Sequence, residues 1–146
     1  MENTTNNLVL TGKVEAFKLI ARDALRMNLI NPRLSRITSI EANIKLIQSD
    51  IKKVEHEINV VNYDIAKLDV SHPNFAATKE RKEDTLKNLG SAIEPNTKEI
   101  AKMEKEIADQ KAAILKIETG ETKVSLEDLN DLTDRLIKQD ALNQVK

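Results

Sequence analysis

The sequence predicts an all-α protein, a long antiparallel coiled-coil helical hairpin with a small helical base formed by the N- and C-terminal helices. A narrow apolar stripe with alternating spacings of three and four runs between Arg36 and Asp69, which is the a/d pattern of a coiled coil. A second stripe of this kind follows a short polar turn that contains Pro73. The 146 residues include only 3 Gly, 3 Pro and 2% aromatic residues, which disfavours an all-β fold or a thick globular core.

The first stripe is predicted to lie on a helix from about Arg33 to Val70. It has ten members, and none is polar: Ile37, Ile40, Ile44, Ile47, Ile51, Val54, Ile58, Val61, Ile65 and Leu68. The neighbouring e and g positions are polar, so the stripe can be buried only against another helix. At about 1.5 Å of rise per residue, the stripe is roughly 50 Å long.

The segment Ser71-His72-Pro73-Asn74 is predicted to end this helix and to begin a return helix. The return stripe is Phe75, Lys79, Lys82, Leu86, Leu89, Ile93, Asn96, Ile100, Met103, Ile107, Gln110, Ile114 and Ile117. A chain folded about Pro73-Asn74 pairs residues whose numbers sum to about 147. Six layers are then apolar on both sides: Val61 with Leu86, Ile58 with Leu89, Val54 with Ile93, Ile47 with Ile100, Ile44 with Met103, and Ile40 with Ile107. This register predicts one hairpin over residues 32–119.

Gly90 and Pro95 lie within the return stripe and leave two alternatives open. The helix either stops after Leu89 and restarts at Pro95, or continues through both residues with a kink. The turn of the hairpin, residues 71–74, is the same in both alternatives.

The N-terminal part is predicted as two segments. Residues 1–10 form a flexible polar arm, and residues 11–31 form a base helix that Thr11 caps and that ends at Asn31-Pro32. A wide apolar face on this helix predicts burial on more than one side. The residues that widen this face are Leu19, Ile20, Met27 and Leu29.

Residues 120–146 are predicted to form a C-terminal base helix and tail. Gly120 is placed to cap the return helix, because glycine is the usual residue just beyond a helix C-terminus. Ser125 with Asp128 resembles a capping box, with Asp in place of the usual Glu. The terminal helices and the lower end of the hairpin are thus predicted to form a small bundle.

The charge distribution disfavours nucleic acid and membranes as partners. The net charge is -1, and acidic and basic residues alternate instead of forming blocks. Lys98, Lys102 and Lys105 alternate with glutamates, which is typical of a solvated helix face. No stretch is apolar enough to span a membrane, and the polar start of the chain does not resemble a signal peptide. The expected location is cytoplasmic, or a virion if the source is a phage.

No residue pattern indicates catalysis, a cofactor or a metal site. His56 lies between Glu55 and Glu57 on an outward helix position without a second ligand at helical spacing, and His72 lies in the turn. Thr11-Gly12-Lys13 lacks the upstream glycine of a phosphate-binding loop. The chain has no Cys, so it has no thiol chemistry. We therefore expect a protein that acts by contact with other molecules and is not an enzyme.

Two groups of residues are predicted to contact a partner. The first is the hairpin tip, where an aromatic pair could anchor a partner: Tyr63, Val70, His72, Phe75, Lys79 and Lys82. Lys79 and Lys82 interrupt the apolar stripe there, and local exceptions to a coherent pattern tend to mark functional sites. The second group is the flank, Leu46 and Val60, whose apolar side chains point away from the stripe. The alternatives are a frayed hairpin end and scattered surface residues without a role.

The predicted function is that of a non-catalytic protein–protein interaction or assembly protein that presents a coiled-coil arm to a partner. The Ile-, Lys- and Asn-rich composition favours an AT-rich genome, phage or bacterial, and a phage structural or accessory protein is the phage form of this prediction. The alternative is a small phage-type inhibitor that binds and blocks a host enzyme complex. A homo-oligomer is also expected, because Ile at both a and d positions favours assemblies of more than two strands.

Overall fold

The computed structural model describes residues 2–145, and it describes side chains from Gly12 to Val145. Within this part the protein is all-helical, with no strand, and it has three helices: α1 (Glu2–Ala66), α2 (Phe75–Glu118) and α3 (Leu126–Val145). The predicted all-α class is confirmed. None of the described helices has an apolar stretch long enough to cross a bilayer.

The chain divides into two compact units. The terminal unit comprises Met1–Arg36 and Gln110–Lys146, and the central unit comprises Ile37–Asp109. Both α1 and α2 contribute residues to each unit, whereas α3 belongs to the terminal unit alone.

The predicted helix boundary at Asn31-Pro32 is wrong, because α1 continues through Pro32. Proline lacks the N–H that would bond to the Asn28 carbonyl, but Asn28 and Pro32 are both exposed, so water can bond to that carbonyl. Ile30 and Ile37, on either side of the proline, are buried, at 6% and 7% exposure. Burial of these two side chains favours the helix over the local extended preference of a residue before proline.

The predicted helix start at Thr11 is also wrong, because α1 begins at Glu2. Most of the segment predicted as a polar arm, residues 1–10, therefore belongs to α1. Its side chains and that of Thr11 lie outside the described residues. The mobility predicted for this segment stays a prediction.

The alternative left open in the return helix is settled in favour of continuity. Helix α2 runs through both Gly90 and Pro95. Two hydroxyl groups near Pro95 donate to carbonyls four residues earlier in α2, Ser91 Oγ to Lys87 O at 2.8 Å and Thr97 Oγ1 to Ile93 O at 3.1 Å. Such bonds are compatible with a continuous helix that carries a proline.

In the central unit, burial follows the predicted apolar stripes closely. All ten members of the first stripe are buried or half-buried, and every other residue from Ile37 to Leu68 except Asp64 is exposed. Leu68 lies beyond α1, which ends at Ala66 and not near Val70 as predicted. On α2 every predicted stripe residue except Lys79 is buried or half-buried, and Glu106 and Ala113, which were not predicted, are half-buried as well. Lys79 is exposed, and Thr78 occupies the inward position instead.

In the terminal unit, buried side chains come from all three helices. They are Ala21, Ile30, Ile114, Ile117, Leu129 and Thr133. The one polar member satisfies its hydroxyl group internally, because Thr133 Oγ1 donates to Leu129 O at 2.6 Å. The wide buried face predicted for the first helix is not found, since Leu19, Ile20, Met27 and Leu29 are all exposed.

The end of α2 and the start of α3 follow the predicted capping residues. Gly120 has a φ of +80°, the left-handed conformation that favours glycine, and its N–H donates to Ile117 O at 3.2 Å. Ser125 precedes α3, and its Oγ accepts the Asp128 N–H at 3.4 Å. The sequence therefore specifies these two boundaries locally.

Candidate functional site

The turn between α1 and α2, residues 67–74, is held by hydrogen bonds to Asp69. Its Oδ1 accepts two hydrogen bonds from Ser71, one from the hydroxyl at 2.7 Å and one from the backbone N–H at 3.0 Å. The Asp69 carbonyl accepts the His72 N–H at 3.1 Å. This arrangement is an Asx-type turn, in which a short carboxylate side chain replaces a backbone acceptor.

His72 lies before α2, which begins at Phe75, and it accepts two backbone N–H groups there. Its Nδ1 accepts the Asn74 N–H at 3.1 Å, and its carbonyl accepts the Phe75 N–H at 3.0 Å. Two of the N–H groups near the helix start are thereby bonded. His72 thus has the structural role in the turn that its position in the sequence suggested.

A cleft of about 290 Å³ opens at this turn. It is lined by Lys67, Leu68, Asp69, His72, Asn74, Phe75 and Thr78. Of the predicted tip residues, the structure brings only His72 and Phe75 to this cleft. Tyr63 and Val70 are outside it and strongly exposed, at 63% and 77%.

Two lysines contact the aromatic rings on either side of the turn, Tyr63 near the end of α1 and Phe75 at the start of α2. Lys67 Nζ is 5.4 Å from the centroid of the Tyr63 ring, and Lys79 Nζ is 5.9 Å from the centroid of the Phe75 ring. At these distances a cation is attracted to the ring face by about 0.5–1 kcal/mol at an exposed site. Each aromatic residue of the turn therefore carries a positive charge beside its ring.

Lys82 has a different environment from the one expected. Its half-buried side chain places Nζ 3.7 Å from Asp64 Oδ2, so an ion pair joins α2 to α1 where an interruption of the stripe was predicted. Both partners remain partly solvated, so the pair contributes about 0–1 kcal/mol. Lys79 pairs within α2, with Glu83 Oε1 at 3.9 Å.

The predicted flank residues do not form a cleft. Leu46 and Val60 are 66% and 45% exposed on α1, and neither lines the shallow cavity of about 340 Å³ formed near them by Gln48, Ile51, Lys52 and Glu55. The role of Leu46 and Val60 as partner-contact residues stays a prediction. Their arrangement offers a partner less concave surface than the turn does.

The terminal unit has a larger open cavity, of about 430 Å³, which the sequence interpretation missed. It is lined by Arg22, Arg26, Gly120, Lys123, Val124, Leu126 and Leu129. The spacing of Arg22 and Arg26 places both on one face of α1, but only the fold brings them beside Lys123. In the part of the chain with described side chains, no group of three or more His, Cys, Asp or Glu residues could hold a metal.

The hydrogen bonds of the turn lower the pKa of Asp69 below its ordinary value of 3.8, chiefly through the Ser71 hydroxyl and next through the Ser71 N–H. A lowered pKa means that the ionised carboxylate stabilises the folded turn above pH 3.8. This stabilisation is lost as the pH falls through the lowered pKa.

Replacing Ser71 with Ala is expected to raise the pKa of Asp69 towards 3.8, because the hydroxyl donor is lost while the N–H donor remains. An NMR titration of the Asp69 carboxyl carbon measures the change. Ser91→Ala is the matched control, since its hydroxyl donates to Lys87 O within α2. An Asp69 titration that is identical in wild type and Ser71→Ala would contradict this account of the turn.

Comparison with known proteins finds no match for the chain among family models, curated proteins or solved structures.

Proposed function

We propose that this protein is a non-catalytic protein–protein interaction module and that the α1–α2 turn docks an apolar segment of a partner protein. The observation that carries the proposal is the combination of exposed Tyr63 and Val70 with an adjacent cleft lined by Phe75. A few residues dominate the binding energy of a protein interface, and tyrosine is among the residue types enriched at these positions. This function corresponds to an assembly or adaptor protein.

A hydrogen-bonded turn is better suited to docking than a frayed helix end. Asp69, Ser71 and His72 bond the backbone between the two helices, so the aromatic residues on either side are held in place. Preorganisation of this kind reduces the entropy lost on binding. The network therefore favours a binding role over the alternative of a frayed end without function.

The charges of the turn indicate the chemistry of the partner segment. Lys67 and Lys79 place their ammonium groups beside the rings of Tyr63 and Phe75. A segment with an apolar side chain for the cleft and a carboxylate next to it would contact ring and ammonium together. We therefore propose a partner segment that combines apolar and acidic residues.

We also propose that α1 and α2 of the central unit form an antiparallel coiled-coil hairpin in the register deduced from the sequence. The spacing of the half-buried residues on both helices supports it. The Asp64–Lys82 ion pair supports it as well, because the two residue numbers sum to 146, one less than the predicted register. The hairpin would hold the turn at the end of a rigid support.

The register is tested by introducing a cysteine pair into a chain that has no other cysteine. Ile58→Cys with Leu89→Cys is expected to form a disulfide within one chain at low protein concentration, because the two positions face each other in the proposed hairpin. Ile58→Cys with Ser91→Cys is the control, since Ser91 is exposed. Non-reducing electrophoresis and peptide mapping detect the bond, and cross-chain disulfides alone would contradict the hairpin.

The docking proposal is tested with Tyr63→Ala combined with Phe75→Ala. Partner capture from a native lysate of the source cell is expected to weaken at least tenfold, which corresponds to about 1.4 kcal/mol, while helicity by circular dichroism stays nearly unchanged. Leu46→Ala with Val60→Ala is the matched control, because it removes two exposed apolar side chains from the flank. Capture that survives the turn variant but not the flank variant would move the contact surface to the flank.

Quantitative cross-linking mass spectrometry on the same lysates identifies the captured protein. An assembly protein is expected to recover structural proteins encoded with it. A host enzyme captured through the turn would instead indicate the second candidate, an inhibitor that blocks an enzyme complex.

A further inference from the structure

A further stripe, apolar except for Asn31, runs along α1 within the terminal unit, and five of its six members are exposed while Phe17 is half-buried. Its members have the alternating spacing of three and four that defines a coiled-coil seam: Phe17, Ile20, Ala24, Met27, Asn31 and Leu34. Ile20, Met27 and Leu34 are exposed at 53%, 46% and 46%, and Ala24 and Asn31 are exposed too. We call this set the α1 outer stripe.

The polar member of the outer stripe lies where coiled coils use polarity to select a partner. With Ile20, Met27 and Leu34 at d, Asn31 lies at an a position. One Asn at an a position fixes register and strand number in parallel dimers, at some loss of stability. In such a dimer the two asparagines meet, and each amide group is both donor and acceptor, so the pair can satisfy itself.

We propose that the outer stripe binds the outer stripe of a second copy of this chain in a parallel, two-fold symmetric dimer. A parallel pairing brings Asn31 against Asn31 of the partner subunit and Met27 against Met27 of the partner subunit. An antiparallel pairing of a with d positions would instead place Asn31 against an isoleucine, which leaves its amide unsatisfied. The self-complementary arrangement thus favours a copy of the same surface over an unrelated helix.

The residues that border the outer stripe are compatible with this self-association. The e and g positions are Ala16, Ala21, Asp23, Asn28, Ile30 and Ser35. Ala21 and Ile30 are buried within the terminal unit, and Asp23 is the one charged residue among the four exposed positions. In the parallel register Asp23 faces Asn28 of the partner subunit, whose amide can donate to the carboxylate. No like charges oppose each other at these positions, so charge repulsion does not disfavour the pairing.

The size of the contact predicts a weak dimer. The stripe from Phe17 to Leu34 is about 27 Å long at 1.5 Å of rise per residue, since α1 is continuous there. A contact of this length is small beside the roughly 1,000 Å² or more that specific interfaces bury, so we expect a weak dimer, with a Kd of about micromolar as the working value. Each helix already forms part of a folded unit, so dimerisation does not require helix formation.

Sedimentation equilibrium of the full chain between about 1 and 200 µM tests the association, since that range brackets a micromolar Kd. The expected result is a reversible monomer–dimer equilibrium. Met27→Lys is expected to raise the Kd at least tenfold, with Ile20→Lys as a second variant in case the first alters the fold. Leu115→Lys is the matched control, because Leu115 is a 59% exposed apolar residue of the same unit outside the stripe.

Two further variants test the role of Asn31. Asn31→Ile is expected to lower the Kd at least tenfold and to allow assemblies larger than two chains. Asn31→Cys, in a chain without other cysteines, is expected to form a disulfide between two copies. This disulfide distinguishes the parallel pairing from the antiparallel one, because only the parallel pairing places residue 31 opposite residue 31 of the second copy.

Three results would overturn the proposal. They are a monomer throughout the concentration range, a dimer that Met27→Lys and Ile20→Lys leave intact, or a mixture of Ile20→Cys and Asn31→Cys chains that yields only the mixed disulfide. The proposal does not rest on the docking role of the α1–α2 turn, so either can fail while the other stands.

Discussion

Replacing Ile40 with Asp is expected to lower the free energy of unfolding by several kcal/mol, enough to unfold much of the protein at ordinary temperature. Ile40 is the largest fully buried side chain described, at 1% exposure. Loss of its packing alone, as in Ile40→Ala, costs about 2–5 kcal/mol. The buried carboxylate adds a desolvation penalty, while typical domains are stable by only about 5–15 kcal/mol.

Urea denaturation followed by circular dichroism measures this effect. Leu46→Asp is the matched control, because Leu46 lies on the same helix with 66% exposure and should change stability by about 0.5 kcal/mol or less. Ile47→Asp should fall between the two, since Ile47 is half-buried. Equal midpoints for Ile40→Asp and Leu46→Asp would contradict the burial pattern of the central unit.

Replacing Leu129 with Ala is expected to cost about 2–5 kcal/mol through lost packing in the terminal unit. Leu129 is 4% exposed, whereas Leu126, one turn earlier on α3, is 68% exposed. Leu126→Ala therefore removes the same atoms from the same helix at little cost. The comparison isolates burial from helix propensity, because both substitutions place alanine in α3.

Thermal unfolding of the two alanine variants tests this second expectation. A melting temperature that drops for Leu129→Ala and stays near wild type for Leu126→Ala agrees with the structure. The reverse order would mean that α3 presents its other face to α1 and α2 of the terminal unit.

Stripe positions in the central unit could be predicted from sequence because they depend on spacing alone. The ten residues of the first stripe are all buried or half-buried, as their spacing of three and four predicts. Spacing alone could not predict which residue in the first turn of α2 faces inward. Thr78 carries no apolar signal, so the sequence interpretation chose Lys79, which the structure leaves exposed.

Helix boundaries near proline were predicted less well, because local preference competes with burial. Asn31-Pro32 favours a break, yet Ile30 and Ile37 are buried on both sides and α1 continues. The exposure of Ile20 and Met27 was missed for a related reason. A wide apolar face can serve two different contacts, and periodicity does not say which one lies within the chain.

The candidate site was predicted in part. Phe75 and His72 follow from the position of the turn, and both line its cleft. The places of Lys67 and Asn74 in the cleft could not be predicted from the position of the turn. They depend on the path that the Asp69–Ser71 hydrogen bonds impose on the backbone. Main-chain geometry of this kind has no signature in residue spacing.

The uneven burial along the α1 stripe has a consequence for local opening of the central unit. Ile37, Ile40 and Ile44 are buried, whereas every later stripe residue up to Leu68 is half-buried. Segments with fewer buried apolar contacts open at lower free energy than the rest of a fold. Amide exchange should therefore be slowest around Ile40 and quicken towards the turn. The surface proposed for docking lies at the turn end of this gradient, where Asp69, Ser71 and His72 bond the backbone, and a bound partner would slow exchange there first.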